Sequence, residues 1–179
     1  MAEKSKSLSD SLKRYTSRSM QLYRTRYLLA KITQFVDMAY KGISTPGTLD
    51  DYMGLDIEHI LPNTPDASLR QFFTDASPGV NYDDYKNRLG NFTLLEKPIN
   101  IVASNGYYET KKTAYRKCKY YLTSSIAELI VVGKNSSTNR INQRLKAFEN
   151  WSAESIDDRQ AMLIELAKEV WKITLFESE

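Results

Sequence analysis

Apolar residues recur along this chain at helical spacing over most of its length, and at strand spacing in two short places. Leu22, Leu28, Leu29, Ile32, Phe35, Val36 and Ala39 return every three or four positions, so residues 8–41 are read as one long helix ended by Gly42 and Pro46-Gly47. Tyr15, Tyr23, Tyr27 and Tyr40 sit on or beside that stripe, where core packing is a commoner fate than stacking on bases. The run Leu55–Leu61 alternates instead, with Leu55, Ile57, His59 and Leu61 on one face and Asp56, Glu58 and Ile60 on the other, until Pro62 stops it. Phe92-Thr93-Leu94-Leu95 reads as a second strand, entered through the turn-like Arg88-Leu89-Gly90-Asn91. A loop with a short helix over 67–74 separates the two strands. Lys97-Pro98 opens a helical stretch, and a longer helix is expected over 107–122. Residues 133–139 are a loop by composition. Two helices are expected after it, near 139–150 and 156–173, the second with Ser155 as its N-cap and Asp158 three residues on. The fold class that follows is α+β, mostly helical around one two-stranded insert, with no internal repeat and no low-complexity segment.

Composition narrows the class. With 179 residues, 41% hydrophobic and 26% charged, the chain can close one domain around a sizeable core. No apolar run approaches the roughly 18 residues of a membrane span, and the N-terminus lacks the apolar stretch of a signal peptide. Cys118 is the only cysteine, which excludes an internal disulfide, and the single histidine leaves a structural zinc site short of ligands. A reducing cytoplasm fits that usage. Met1-Ala2 is compatible with a start placed ahead of a domain cut from a longer chain.

The net charge of +3 conceals an asymmetry. Residues 1–31 carry eight Lys/Arg against Glu3 and Asp10, whereas residues 149–179 carry eight acids against Arg159, Lys168 and Lys172. A basic arm suits phosphate contacts, and a solvated helix face accounts for it equally well. Residues 1–47 are accordingly read as a basic helical arm on a domain spanning 48–179. A second basic cluster lies at Lys97, Lys111, Lys112, Arg116, Lys117 and Lys119, opposed within 97–119 only by Glu109 and interleaved with Tyr115. It has the make-up of a surface that tracks phosphates, although helix solubility would explain much of it.

The candidate chemistry gathers around His59. A lone histidine on an apolar strand face is usually structural, but three features stand beside this one. Glu58 precedes it directly, placing a hard oxygen ligand next to a titratable base. Asn91 follows a glycine at the entry to the second strand, where an amide can pin a loop. Asn100 lies nine residues later on the helical stretch. Strand, strand and helix form the smallest frame that brings a base near an oxygen ligand, and Mg²⁺ needs only one or two such ligands besides water.

The segments Glu58-His59-Ile60-Leu61-Pro62, then Arg88-Leu89-Gly90-Asn91-Phe92-Thr93-Leu94-Leu95, then Asn100 with Ser104-Asn105 and Lys111, resemble the C-terminal nuclease domain of GmrSD-type restriction proteins. The likeness covers roughly residues 20–175, including the closing pattern Trp151, Ile156, Arg159, Leu163, Trp171. It implies an HNH (His-Me finger), or ββα-metal, core embedded in helices, and a metal-dependent DNA endonuclease or nickase of a prokaryotic, cytoplasmic anti-phage defence protein. By the same resemblance His59 is the general base and Asn91 the residue that orients it. Glu58 and Asn100 are the ligands of Mg²⁺ or Mn²⁺, with Glu58 standing where the superfamily commonly has Asp. Asn105 and Lys111 support the site, and Lys97, Lys112, Arg116, Lys117 and Lys119 contact DNA. Similar domains follow an N-terminal nucleotide-binding domain of the ParB/sulfiredoxin-like type, which these residues do not contain. Two other readings share the same residues: a catalytically inactive DNA-binding or assembly module of the same fold, and a ribonuclease.

Overall fold

The computed structural model describes residues 2–133 and 136–171. It opens with α1 (Ala2–Lys13) and α2 (Leu22–Lys41), where the periodicity predicts one helix over 8–41. The break at 14–21 is made by long-range contacts. Tyr15 turns inward, its hydroxyl bonded to Thr25 and its ring edge-on to Phe92 at 6.4 Å. Thr16 bridges to Arg88, while Ser19 Oγ bonds both the N–H and the carbonyl of Thr16, a local alternative to the helix ladder. The free carbonyls that end α1 are taken by Gln160 Nε2, at 3.0 Å from Leu12 and 2.8 Å from Lys13. α2 is the central helix, with Leu29, Ile32 and Val36 fully buried. It stops where Gly42 enters the left-handed region (φ 67°) and returns its N–H to Ala39 O.

A short α3 (Asp50–Met53) leads into β1 (Asp56–His59). Then come α4 (Ala67–Ala76), capped by Asp66 on Leu69 N, and α5 (Tyr82–Tyr85), capped by Asn81. A tight helical turn at Leu89–Asn91 delivers the chain into β2 (Phe92–Leu95). β1 and β2 form a two-stranded antiparallel sheet in the register Asp56↔Leu95, Ile57↔Leu94, Glu58↔Thr93, His59↔Phe92. α6 (Lys97–Ala103) follows at once, started by Pro98, and lies against β1.

The helix expected over 107–122 is two, α7 (Tyr108–Tyr115) and α8 (Tyr121–Ala127). Between them Cys118 is buried and Lys119 N–H turns to Glu96 Oε1 at 3.1 Å. α9 (Ser137–Asn142) is shorter than the helix expected near 139–150, and it begins inside the expected loop, of which residues 134–135 lie outside the described residues. The closing helix α10 (Ala153–Val170) starts earlier than expected. Its N-cap is Ser152, whose Oγ accepts Ser155 N–H at 3.3 Å, and Ser155 bonds Asn150 O instead. The expected end at 172–173 falls outside the described residues, as do Met1 of the basic arm and the side chains of Glu3 and Lys4.

One core joins these elements. α10 lies over the Leu89–Asn91 turn so closely that a Cβ on Gly90 would come within 2.0 Å of Ile156 O. Arg159 of α10, fully buried, donates to Gly90 O at 2.8 Å and Phe92 O at 2.6 Å. α2 and α8 cover β2, all four of whose residues are buried. Among the described residues no helix is long and apolar enough to cross a membrane.

Candidate active site

β1 sends consecutive side chains to opposite sides, and this sorts the candidate residues into two groups. His59 lies on the side of Phe92, its cross-strand partner, with the rings edge to face at 4.7 Å. The imidazole is half-buried. Burial is the main cause that pushes its pKa from 6.5 to about 4, helped by the nearby Lys111 and Lys86 ammonium groups. It is therefore neutral at physiological pH and able to accept a proton.

Asn91 fixes the backbone just past His59. Its Oδ1 accepts from Leu61 N–H at 2.6 Å and from Trp151 Nε1 at 3.0 Å, while its Nδ2 donates to Leu61 O and Lys86 O, both at 2.9 Å. Its own carbonyl accepts Ile60 N–H at 3.0 Å. Two donors and two acceptor sites are the whole capacity of an amide. Asn91 thus acts on His59 through the loop and makes no hydrogen bond to the ring.

Glu58 faces the other way and is buried against α7. Lys111 Nζ, itself fully buried, donates to Glu58 Oε1 at 2.6 Å and to His59 O at 2.7 Å. Tyr115, one turn further along α7, donates its hydroxyl to the same Oε1 at 2.9 Å. Burial pushes Glu58 up and Lys111 down, and their mutual attraction opposes both shifts. Both printed side-chain bonds to Glu58 fall on Oε1.

Asn100 reaches back from α6 to β1, with Nδ2 3.3 Å from Asp56 Oδ2. Asp56 lies on the Glu58 face of the strand, two residues away. Asn105 is exposed in the turn after α6 and makes no side-chain hydrogen bond among the described residues. Ser104, at the end of α6, is the only non-glycine residue with positive φ (46°) among the described residues.

The donor set suits a hard, hydrated cation and no other kind. Asp56, Glu58 and Asn100 offer only oxygens, which fits Mg²⁺ or Mn²⁺ that keep several waters. Among the described residues no group of three His, Cys, Asp or Glu could hold an ion alone. The Lys111 ammonium on Oε1 further restricts Glu58 to its second oxygen.

The basic cluster divides. Lys97, Lys117 and Lys119 are exposed, Lys119 lying over the Tyr120 ring at 4.9 Å. Arg116 is exposed but 3.4 Å from Glu128 Oε2. Lys112 is buried, donating to Glu149 O at 3.1 Å and pairing with Glu109 and Glu149. Sequence reasoning passed over Asp56, Tyr115 and Trp151. The strand alternation that pairs Asp56 with Glu58 was a usable signal for the first, and the helical interval from Lys111 to Tyr115 for the second.

The sequence model of the GmrSD restriction endonucleases, C-terminal domain, matches residues 2–166. Neither a curated protein nor a solved structure matches the chain significantly.

Proposed function

The chain belongs to the family of GmrSD restriction endonuclease C-terminal domains, and from that premise we propose that it hydrolyses DNA phosphodiester bonds as a metal-dependent HNH-type nuclease or nickase. The observation that carries the proposal is the imidazole of His59, neutral and half-buried at the end of β1, on a backbone that Asn91 holds by both edges of Leu61. β1, β2 and α6 are read as the ββα-metal frame. His59 takes a proton from water as its oxygen attacks phosphorus, and the bond to the leaving 3′ oxygen breaks. Asn100 and Glu58, with Asp56 beside them, are the proposed ligands of Mg²⁺ or Mn²⁺, which when bound stabilises charge on the scissile phosphate and the leaving oxygen. Lys111 holds Glu58 and the His59 carbonyl in place. Lys97, Lys117, Lys119 and Arg116 are the proposed phosphate contacts, with Lys112 bracing the surface from below and Asn105 at its edge. Target choice is assigned to an N-terminal ParB/sulfiredoxin-like nucleotide-binding domain in a longer chain of a prokaryotic restriction protein.

One observation favours a second reading, a non-catalytic DNA-binding or assembly module: the Lys111 ammonium already neutralises Glu58. Supercoiled plasmid incubated with the purified chain in Mg²⁺, Mn²⁺ or EDTA separates the two. Nicked or linear product in either metal and none in EDTA is expected. Salt-sensitive binding with no product in any condition would favour the second reading, and an RNA substrate cut in place of DNA would correct the substrate.

A further inference from the structure

The loop that carries His59 also forms one wall of an aromatic cavity. Ile60, Leu61 and Pro62, the three residues after His59, face Phe72 and Phe73 of α4, Tyr107 and Tyr108 at the start of α7, and Trp151 across about 480 Å³ of space open to solvent. The inner polar atoms are already satisfied by protein. Tyr108 hydroxyl donates to Ile126 O and Phe148 O, and Trp151 Nε1 donates to Asn91 Oδ1. The rim differs. Phe72 and Tyr107 are 58% and 38% exposed and meet edge to face at 5.8 Å. Tyr107 hydroxyl and the Asn150 amide make no side-chain hydrogen bond among the described residues, and Glu109 adds a carboxylate. A space with flat apolar walls and a few unspent hydrogen-bonding groups at its mouth suits a flat heteroaromatic ring.

Position selects which ring. Asn91 joins the cavity to the candidate base directly, since its Oδ1 holds both Leu61 N–H and Trp151 Nε1. A nucleotide whose phosphate meets His59 therefore has its neighbour's base at the cavity mouth. We propose that this cavity binds one unstacked nucleobase of the substrate strand, stacked on the Phe72–Tyr107 pair and read at its edge by Asn150 and Glu109. The inference rests on the nuclease reading given above. A base paired within a duplex cannot enter, so the cavity selects a single-stranded or flipped nucleotide.

The test uses the emission of Trp151, isolated by Trp171→Phe because the chain has two tryptophans. The probes are a single-stranded oligodeoxyadenylate and its fully abasic counterpart of equal length. Quenching of Trp151 by the first and not by the second is expected. Phe72→Ala with Tyr107→Ala should weaken oligodeoxyadenylate binding roughly 5- to 100-fold, the range of one lost base–aromatic stack, and leave abasic binding unchanged. Both side chains are exposed, so circular dichroism should report an unaltered fold. Equal binding of the two probes without quenching would overturn the cavity's role, as would a cavity that only an apolar segment of a partner domain could fill. If plasmid cleavage persists in that event, the nuclease reading stands and only the cavity assignment falls. Absence of both cleavage and salt-sensitive DNA binding would remove both.

Discussion

The ring of His59 loses water to Phe92 on one side and feels two ammonium groups nearby, and together these hold it neutral well into the acid range. Because its folded pKa lies below the unfolded value, the stability gained from keeping it neutral is complete above pH 6.5 and is lost as pH falls through about 4. For catalysis the consequence has the same sign. The acid limb of the cleavage profile should fall near pH 4 to 5, and a limb at pH 6.5 in kcat/KM would show that the base is solvated. Lys111 makes a separate prediction. Replacing it with Met leaves Glu58 buried without its cation, at a cost of about 3–5 kcal/mol in urea unfolding at neutral pH. The loss should shrink in acid, because burial already pushes the Glu58 carboxyl up and a proton can replace the ammonium. A variant as stable as wild type at pH 7 would contradict the pairing.

At the scale of elements, the sheet and its flanks were legible because their signals are local. β2 matches the expected Phe92–Leu95 run, β1 falls inside Leu55–Leu61, and Gly42 and Pro98 punctuate α2 and α6 as their backbone chemistry requires. The breaks at 14–21 and 116–120 left no such mark. They depend on Gln160, Arg88 and Glu96, which approach only in the folded chain. The burial of Lys111 and Lys112 was hidden for a related reason, since long cations on a helix read as solvent-facing until their partners on β1 and at Glu149 are placed. Gly90 is a case where sequence shows the residue but not its cause. Its missing side chain lets α10 reach the turn that presents Asn91, so Gly90→Ala should cost about 3 kcal/mol or more and displace that turn. Chemical denaturation measures the first effect. A neutral result would mean that α10 has room to move.

Across the whole molecule, charge and the site lie on connected surfaces. Lys97 starts α6, the helix that carries Asn100, while Lys117 and Lys119 occupy the exposed turn after α7, the helix that carries Lys111. If these three meet phosphates, replacing them with Gln should flatten the dependence of log K on log salt by about 2–3 units and leave cleavage at saturating DNA intact. An unchanged slope would move the DNA path elsewhere on the protein. The role of residues 1–47 also belongs to this scale. α2 is built into the core that supports β2, while α1 lies against α10.

The proposal that His59 is the base of a nuclease is tested most directly by measuring plasmid cleavage and DNA binding on the same preparations of wild type and His59→Ala. The account predicts metal-dependent cutting by wild type, a loss of at least about a hundredfold in the variant, and DNA affinity and melting temperature close to those of wild type. Cutting that survives in a folded variant would contradict it.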